Sequence, residues 1–377
     1  MTGNLHIITL NIPYPPDYGG IIDSYYRIKS LHKAGVGIHL HCFEYGREHS
    51  PELKSLCKTV NYYPRNTFFT KNLSIKPYTV VSRDSAKLLE NLSGDSFAIL
   101  FDGIHTTFWL DHQYLTGRMK IVRVHNIEHR YYQTMGRFES NPFKKLYFGA
   151  EALKLKFYEK ILSHADILLT VSDTDQDYFE RTYHNAELIP SFHPCEHVES
   201  ASGSGDYIVF HGDLSVNENV LVAEHLISRI FSKVPFRCII AGKKPPSGLI
   251  KRASVYANIS IVPDPGEDQM AELIRNAHIN LLFAIAANGL RLKLLIALYS
   301  GRHVLVNSNI IRGTLLAPAC HLEDSAEGII EKIHELMKIP FTKQDISNRE
   351  KILEPYSNSF NINRLIRLTF PDDGDSR

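Results

Sequence analysis

Paired cysteine is missing from this 377-residue chain: Cys42, Cys57, Cys195, Cys238 and Cys320 are scattered, odd in number and without CxxC spacing. That fits reduced thiols in a cytoplasmic protein better than a disulfide framework. Net charge is nearly absent as well. Forty-two Lys and Arg against 41 Asp and Glu leave +1, so there is no global attraction to nucleic acid or anionic lipid, and any such binding is local. No apolar run is long: the longest without charge, residues 279–290, falls short of the roughly 20 residues that a membrane span needs. The start enters an apolar strand directly, with neither a basic segment nor a signal core. A bias toward disorder is also lacking, at 44% hydrophobic and 22% charged residues. The expectation is a soluble globular chain, too long for one core, in two domains.

What is present is alternation. Short β-branched or apolar runs at 5–12, 37–43, 60–63, 98–101, 121–124, 167–171 and 187–189 read as strands covered on both faces. Helical spacing separates them at 21–33, 83–92, 142–164 and 173–182. A second series has strands at 207–210, 238–241, 259–262, 279–283 and 304–306, with helices at 219–233, 268–276, 290–298 and 326–337. Residues 199–206, with no apolar side chain larger than alanine, read as a flexible connector. The fold class is therefore α/β, two Rossmann-like doubly wound domains facing across a cleft. Residues 1–198 form the first, 207–346 the second, and a terminal helix over 347–370 packs back on the first.

The stretch from Asn288 to Gly301 lies between two apolar runs and reads strand, glycine turn, basic helix start, glycine stop, strand. Arg291 and Lys293 then sit at a helix start beyond the carboxyl edge of a parallel strand. Open α/β sheets bind ligands at that edge, where helical N–H groups favour anions. A basic pair there points to a phosphorylated ligand; a solvated first helical turn fits the same residues.

Several segments in order resemble a GT-B fold glycosyltransferase of the family 4 type. They are the Gly19-Gly20 loop after Pro13-Tyr-Pro-Pro, Arg123-Val-His-Asn-Ile-Glu-His129, Thr170-Val-Ser-Asp173, Phe210-His-Gly-Asp213, and Gly289 to Gly301. The resemblance implies transfer of a sugar from a nucleotide-diphosphate sugar to the hydroxyl of a glycan or lipid-linked acceptor, with retention, without a metal and without a cofactor beyond that co-substrate. His125 would contact the donor sugar. Gly19, Gly20, Asn217, Asp264, Asn288, Gly289, Arg291 and Lys293 would bind the donor, with Asn307 and Arg312-Gly313 near the sugar. One departure matters: the family's two glutamates, eight positions apart, are replaced by Asn288 and Ile296. Losing a hydrogen bond to a charged group costs about 1.5–3 kcal/mol, or roughly ten- to hundredfold in affinity. That loss also motivates a non-catalytic scaffold in polysaccharide assembly as an alternative. An epimerase on the same fold would need an acid/base carboxylate cluster, which the sequence does not offer.

Other features carry two readings. Asp102 and His105 close the strand at 98–101; Asp102 could take a proton from an acceptor hydroxyl, or the pair could cap the next helix. One of Asn217 and Asn219 reads as a helix N-cap. His125-Asn-Ile-Glu-His129 matches a zinc pattern, but His125 completes a strand, so the two histidines do not share a helix face. Asp173-Thr-Asp-Gln-Asp177 reads as an acidic first helical turn rather than a metal-binding pair. The helix at 142–164 mixes aromatics with Lys144, Lys145, Lys154, Lys156 and Lys160, and Arg65 to Lys71 is likewise aromatic and basic. Such segments can rest on an anionic membrane, at the inner face of the plasma membrane for a cytoplasmic protein. They also suit a core helix with snorkelling lysines.

Overall fold

The computed structural model describes residues 3–285 and 292–371. The chain divides into two compact units, Met1–Pro194 with Tyr356–Arg377, and Cys195–Pro355.

The first unit holds a seven-stranded sheet in the order β3-β2-β1-β4-β5-β6-β7. Its strands are β1 (Asn4–Thr9), β2 (Gly37–Glu44), β3 (Thr59–Pro64), β4 (Ala98–Asp102), β5 (Lys120–Val124), β6 (Ile167–Thr170) and β7 (Ala186–Leu188). All neighbours pair in parallel. Isoleucine, leucine and valine fill both faces, as helix cover on both sides requires. The order reverses at β1 and β4, where Ile8 pairs with Phe101, and this is where a doubly wound sheet opens a crevice at its carboxyl edge.

The second unit repeats the design with β8 (Tyr207–His211), β9 (Arg237–Gly242), β10 (Ile259–Pro263), β11 (Ile279–Leu282), β12 (His303–Val306) and the short β13 (His321–Leu322). Its order is β10-β9-β8-β11-β12-β13, again all parallel. Gly242 shows how closely the edge of this sheet is packed. A Cβ there would lie 1.9 Å from the carbonyl oxygen of Gly212, so only glycine fits.

Three expectations change. Residues 199–206 are not a free connector but part of the second unit. Glu199 N donates to Tyr299 O at 2.7 Å and Gly203 pairs with Phe341. Gly205 N donates to His278 at 3.0 Å, and a Cβ on Gly205 would lie 2.5 Å from Asn276 O. Small residues are used here for close backbone approach rather than for freedom. The terminal helix is two helices: Lys343–Leu353 stays with the second unit, whereas Asn358–Thr369 buries Ile362 and Leu365 in the first. A helix over Glu128–Phe138, absent from the periodicity reading, follows β5. Among the described residues no helix is long and apolar enough to cross a membrane.

Candidate functional site

The first helix, Gly19–Lys33, places Asp23, Ser24 and Arg27 on one buried face through i, i+4 geometry. Behind them β4 ends in Asp102 and β5 carries Arg123, with His125 just past its end. These six side chains meet at the carboxyl edge beside the β1/β4 switch. Arg123 grips Asp23 as a fork, Nε to Oδ2 at 3.1 Å and Nη2 to Oδ1 at 2.9 Å. Arg27 Nη1 donates to Asp23 Oδ2 at 2.6 Å, and Phe192 N to Asp23 Oδ1 at 2.8 Å. Arg27 Nη2 lies 2.9 Å from Asp102 Oδ1, an ion pair by distance whose angle falls short of a hydrogen bond. Ser24 Oγ donates to the other oxygen of Asp102.

Two arginines thus neutralise two aspartates, all four buried. Burial alone would raise the pKa of Asp23; Arg123 and Arg27 outweigh it and hold the carboxyl below its ordinary value. For Asp102 burial is likewise outweighed, by Arg27, His125 and Ser24, which hold it well below the usual carboxylate range. The sequence offered Asp102 as a base for an acceptor hydroxyl or as a helix cap; in the structure its side chain is fully buried and holds His125. Nε2 of His125 lies 2.9 Å from Asp102 Oδ1, and because a carboxylate only accepts, Nε2 carries the proton. The His125 side chain keeps 14% exposure. Donor atoms of Asp23, Asp102 and His125 come within 4.8 Å of one another, a spacing that suits a cation, but the guanidinium groups already supply the positive charge and occupy the lone pairs.

His125 also lines a small recess with Ile104, Asn126, Glu128, Glu159 and Phe179. Burial pushes the Glu128 carboxyl up to about 7 and the His105 imidazole down to about 3. The two approach to 3.7 Å. His129 is on the following helix and binds Glu159 at 3.0 Å instead, so the zinc spacing has no common focus.

Gly19 and Gly20 open their helix with no side-chain cap, and a Cβ on either would meet nothing within 4 Å. The space above this helix start is open.

In the second unit Lys293 is near the start of the helix Leu292–Ser300. Its Nζ stands 5.5 Å over the Phe210 ring, and its charge adds to burial in lowering His211 to about 3. Lys293 is thus turned toward the carboxyl end of β8, the switch point of this sheet. Ile296 keeps partial exposure one turn further along, as does Ser300, while Leu294, Leu295 and Ala297 are buried. Asn288, Gly289 and Arg291 lie outside the described residues.

Asp264 follows β10 in the left-handed region at φ 46°, and its Oδ1 accepts from Lys244 N at 2.8 Å. Asn307 bonds both backbone groups of Ala284, at 3.1 and 2.8 Å, tying β12 to the end of β11. Neither Asn217 nor Asn219 is an N-cap. Val216 holds that place, Asn217 is the exposed first residue of Asn217–Arg229, and Asn219 folds back to Asp213 O at 2.8 Å. The acidic run does open a helix, Asp173–Tyr183, capped by Ser172.

Sequence reasoning passed over Asp23, Arg27 and Arg123. A signal existed: a charged residue inside Ile121-Val-Arg-Val, a strand covered on both faces, demands a buried counter-ion. The Asp23/Arg27 spacing offered one.

No family model matches the chain. An uncharacterized 44.6 kDa protein in the cps region of Klebsiella pneumoniae is 25% identical over 326 residues, 82% of this chain and 84% of that protein. Among solved structures, sucrose-phosphate synthase from Thermosynechococcus elongatus superposes with a TM-score of 0.67 at 15% identity, over 98% of this chain and 99% of that one. HepE from Anabaena, in complex with UDP and glucose, gives 0.63 at 11% identity over 97% and 98%. A UDP-forming trehalose-phosphate synthase from Burkholderia xenovorans, with glucose-6-phosphate, gives 0.61 at 10% identity over 98% and 100%. At these identities the likeness establishes the fold, and the fold is GT-B.

Proposed function

We propose that the protein is a glycosyltransferase that moves a sugar from a nucleotide-diphosphate sugar to an acceptor hydroxyl, with retention and without a metal. One observation carries the reading. Lys293, held against Phe210 and His211, puts a cation at the switch point of a Rossmann-like sheet, where an anionic ligand binds. Its charge would offset the charge that grows on a departing diphosphate, an effect for which one well-placed donor is worth about 10²–10³ in rate. In the first unit His125, oriented by Asp102, would hold the sugar. The ligands bound by HepE and by the trehalose-phosphate synthase support a nucleotide sugar and a sugar acceptor. The cps-region relative supports a place in polysaccharide assembly; a glycan or lipid-linked acceptor and a cytoplasmic location belong to the same proposal.

The test is donor consumption across UDP and GDP sugars, followed by mass spectrometry. Hydrolysis or transfer of one donor, lost in Lys293→Ala, is the expected result. Ile296, apolar where the family carries a carboxylate, favours the second reading, a non-catalytic scaffold. Silence of every donor in both turnover and calorimetric binding would decide for it.

A further inference from the structure

The helix Pro142–Tyr158 is apolar on two faces, and only one of them is covered. Its inner face buries Glu151, Ala152 and Leu155, with Phe148 half-buried beside Tyr132. Its outer face repeats at i, i+3, i+4 spacing through Phe143, Leu146, Tyr147, Leu153 and Phe157, all exposed, Phe143 by 83%. A soluble helix normally carries one apolar stripe, so the second implies something that covers it.

A neighbouring segment of the same unit has the same character. Phe68, Phe69, Leu73 and Ile75 project from the loop after β3, Phe68 by 77% and Ile75 by 93%. Lys154 Nζ donates to Asn72 O at 2.9 Å and Tyr78 N to Glu151 at 2.8 Å, so loop and helix form one surface. Along residues 141–160 the exposed charges have one sign, although Glu139 stands at the helix start and Asp84 pairs with Lys71 of the loop. Lys144, Lys145, Lys156 and Lys160 are exposed, whereas both acidic side chains between residues 141 and 160, Glu151 and Glu159, are buried.

We propose that this surface of the first unit docks on an anionic lipid bilayer, its aromatic and aliphatic side chains entering the interface and its lysines meeting the headgroups. Aromatic rings beside lysines suit the headgroup boundary, and each lysine there adds attraction to anionic lipid. A second copy of the chain is a poor occupant, because a two-fold pairing of this surface would set lysines against lysines. The inference rests on the first unit alone and stands whether or not the protein transfers a sugar.

The experiment is co-sedimentation of the full chain with phosphatidylcholine vesicles, with and without roughly one-third phosphatidylglycerol. Light scattering would report the oligomeric state. Binding to the anionic vesicles should weaken with salt and fall roughly a hundredfold in Phe68→Ser/Phe69→Ser and in Leu146→Ser/Phe157→Ser. It should fall at least about tenfold in Lys145→Gln/Lys156→Gln/Lys160→Gln. Because every substituted side chain is exposed, circular dichroism and melting should match the parent, which keeps lost folding from imitating lost binding. No binding to anionic vesicles, equal binding to neutral ones, or binding untouched by these substitutions would overturn the proposal. So would a dimer that the same substitutions dissolve.

Discussion

His125 Nε2 stands 2.9 Å from Oδ1 of Asp102, a carboxylate with no exposed surface. This fixes which nitrogen of the ring holds the proton and where the ring points. The aspartate is itself fixed by Arg27 and Ser24. A histidine built this way is preorganised by groups that never touch solvent.

Asp102→Asn should therefore lower turnover of the donor by about 10²-fold, with little change in KM, because the amide holds the ring less firmly and permits the other tautomer. Steady-state kinetics on the active donor checks this. Unchanged turnover would mean that His125 orientation is irrelevant.

Lys293→Ala should reduce turnover by about 10²–10³ and leave the urea midpoint within experimental error, since the side chain is only half-buried. Parent-like rates would remove the diphosphate-stabilising role.

The four buried charges should behave as one unit. Asp23→Asn leaves Arg123 and Arg27 without their shared partner and should cost about 3–5 kcal/mol. Asp23→Leu with Arg123→Met removes both members of the fork and should cost less than the sum of the single changes. Denaturant titration of Asp23→Leu, Arg123→Met and the double variant measures the coupling.

Acid should act through the same group. The carboxyls of Asp23 and Asp102 are held below their ordinary values. The unfolded chain thus binds protons first as pH falls, and stability is lost from about pH 4 downward. Glu128 has the opposite sign. Its folded pKa of about 7 lies above the unfolded one, so its protonated form favours the fold and that contribution disappears as pH rises through 7. Glu128→Gln should raise the melting temperature more at pH 8 than at pH 5. An equal gain at both would show that Glu128 is ionised throughout.

Glycine contrasts test the packing at the second sheet. Gly242→Ala drives a methyl into the Gly212 carbonyl and should cost about 1–3 kcal/mol or more. Gly248→Ala, in a helix with open space around it, should be neutral or add up to about 1 kcal/mol. Thermal melts of the pair are sufficient.

The sequence by itself determined the two series of strands, because a strand covered on both faces must be continuously apolar and a period of two or 3.6 can be read without coordinates. It also put Asp102 and His125 at strand ends, and Lys293 at a helix start. Pairing across the chain was another matter. Asp23 and Arg123 are 100 positions apart, and only the parallel order of β1, β4 and β5 brings the first helix over Arg123. The same holds for residues 199–206, whose small side chains fit freedom and close packing equally well until the backbone of the second unit fills the space around Gly205. Likewise the apolar pattern of Pro142–Tyr158 was legible, but which face meets the core depends on what packs beside it, and that is set by contacts distant in the chain. Local periodicity is a property of neighbours in sequence; charge neutralisation and exposure belong to neighbours in space.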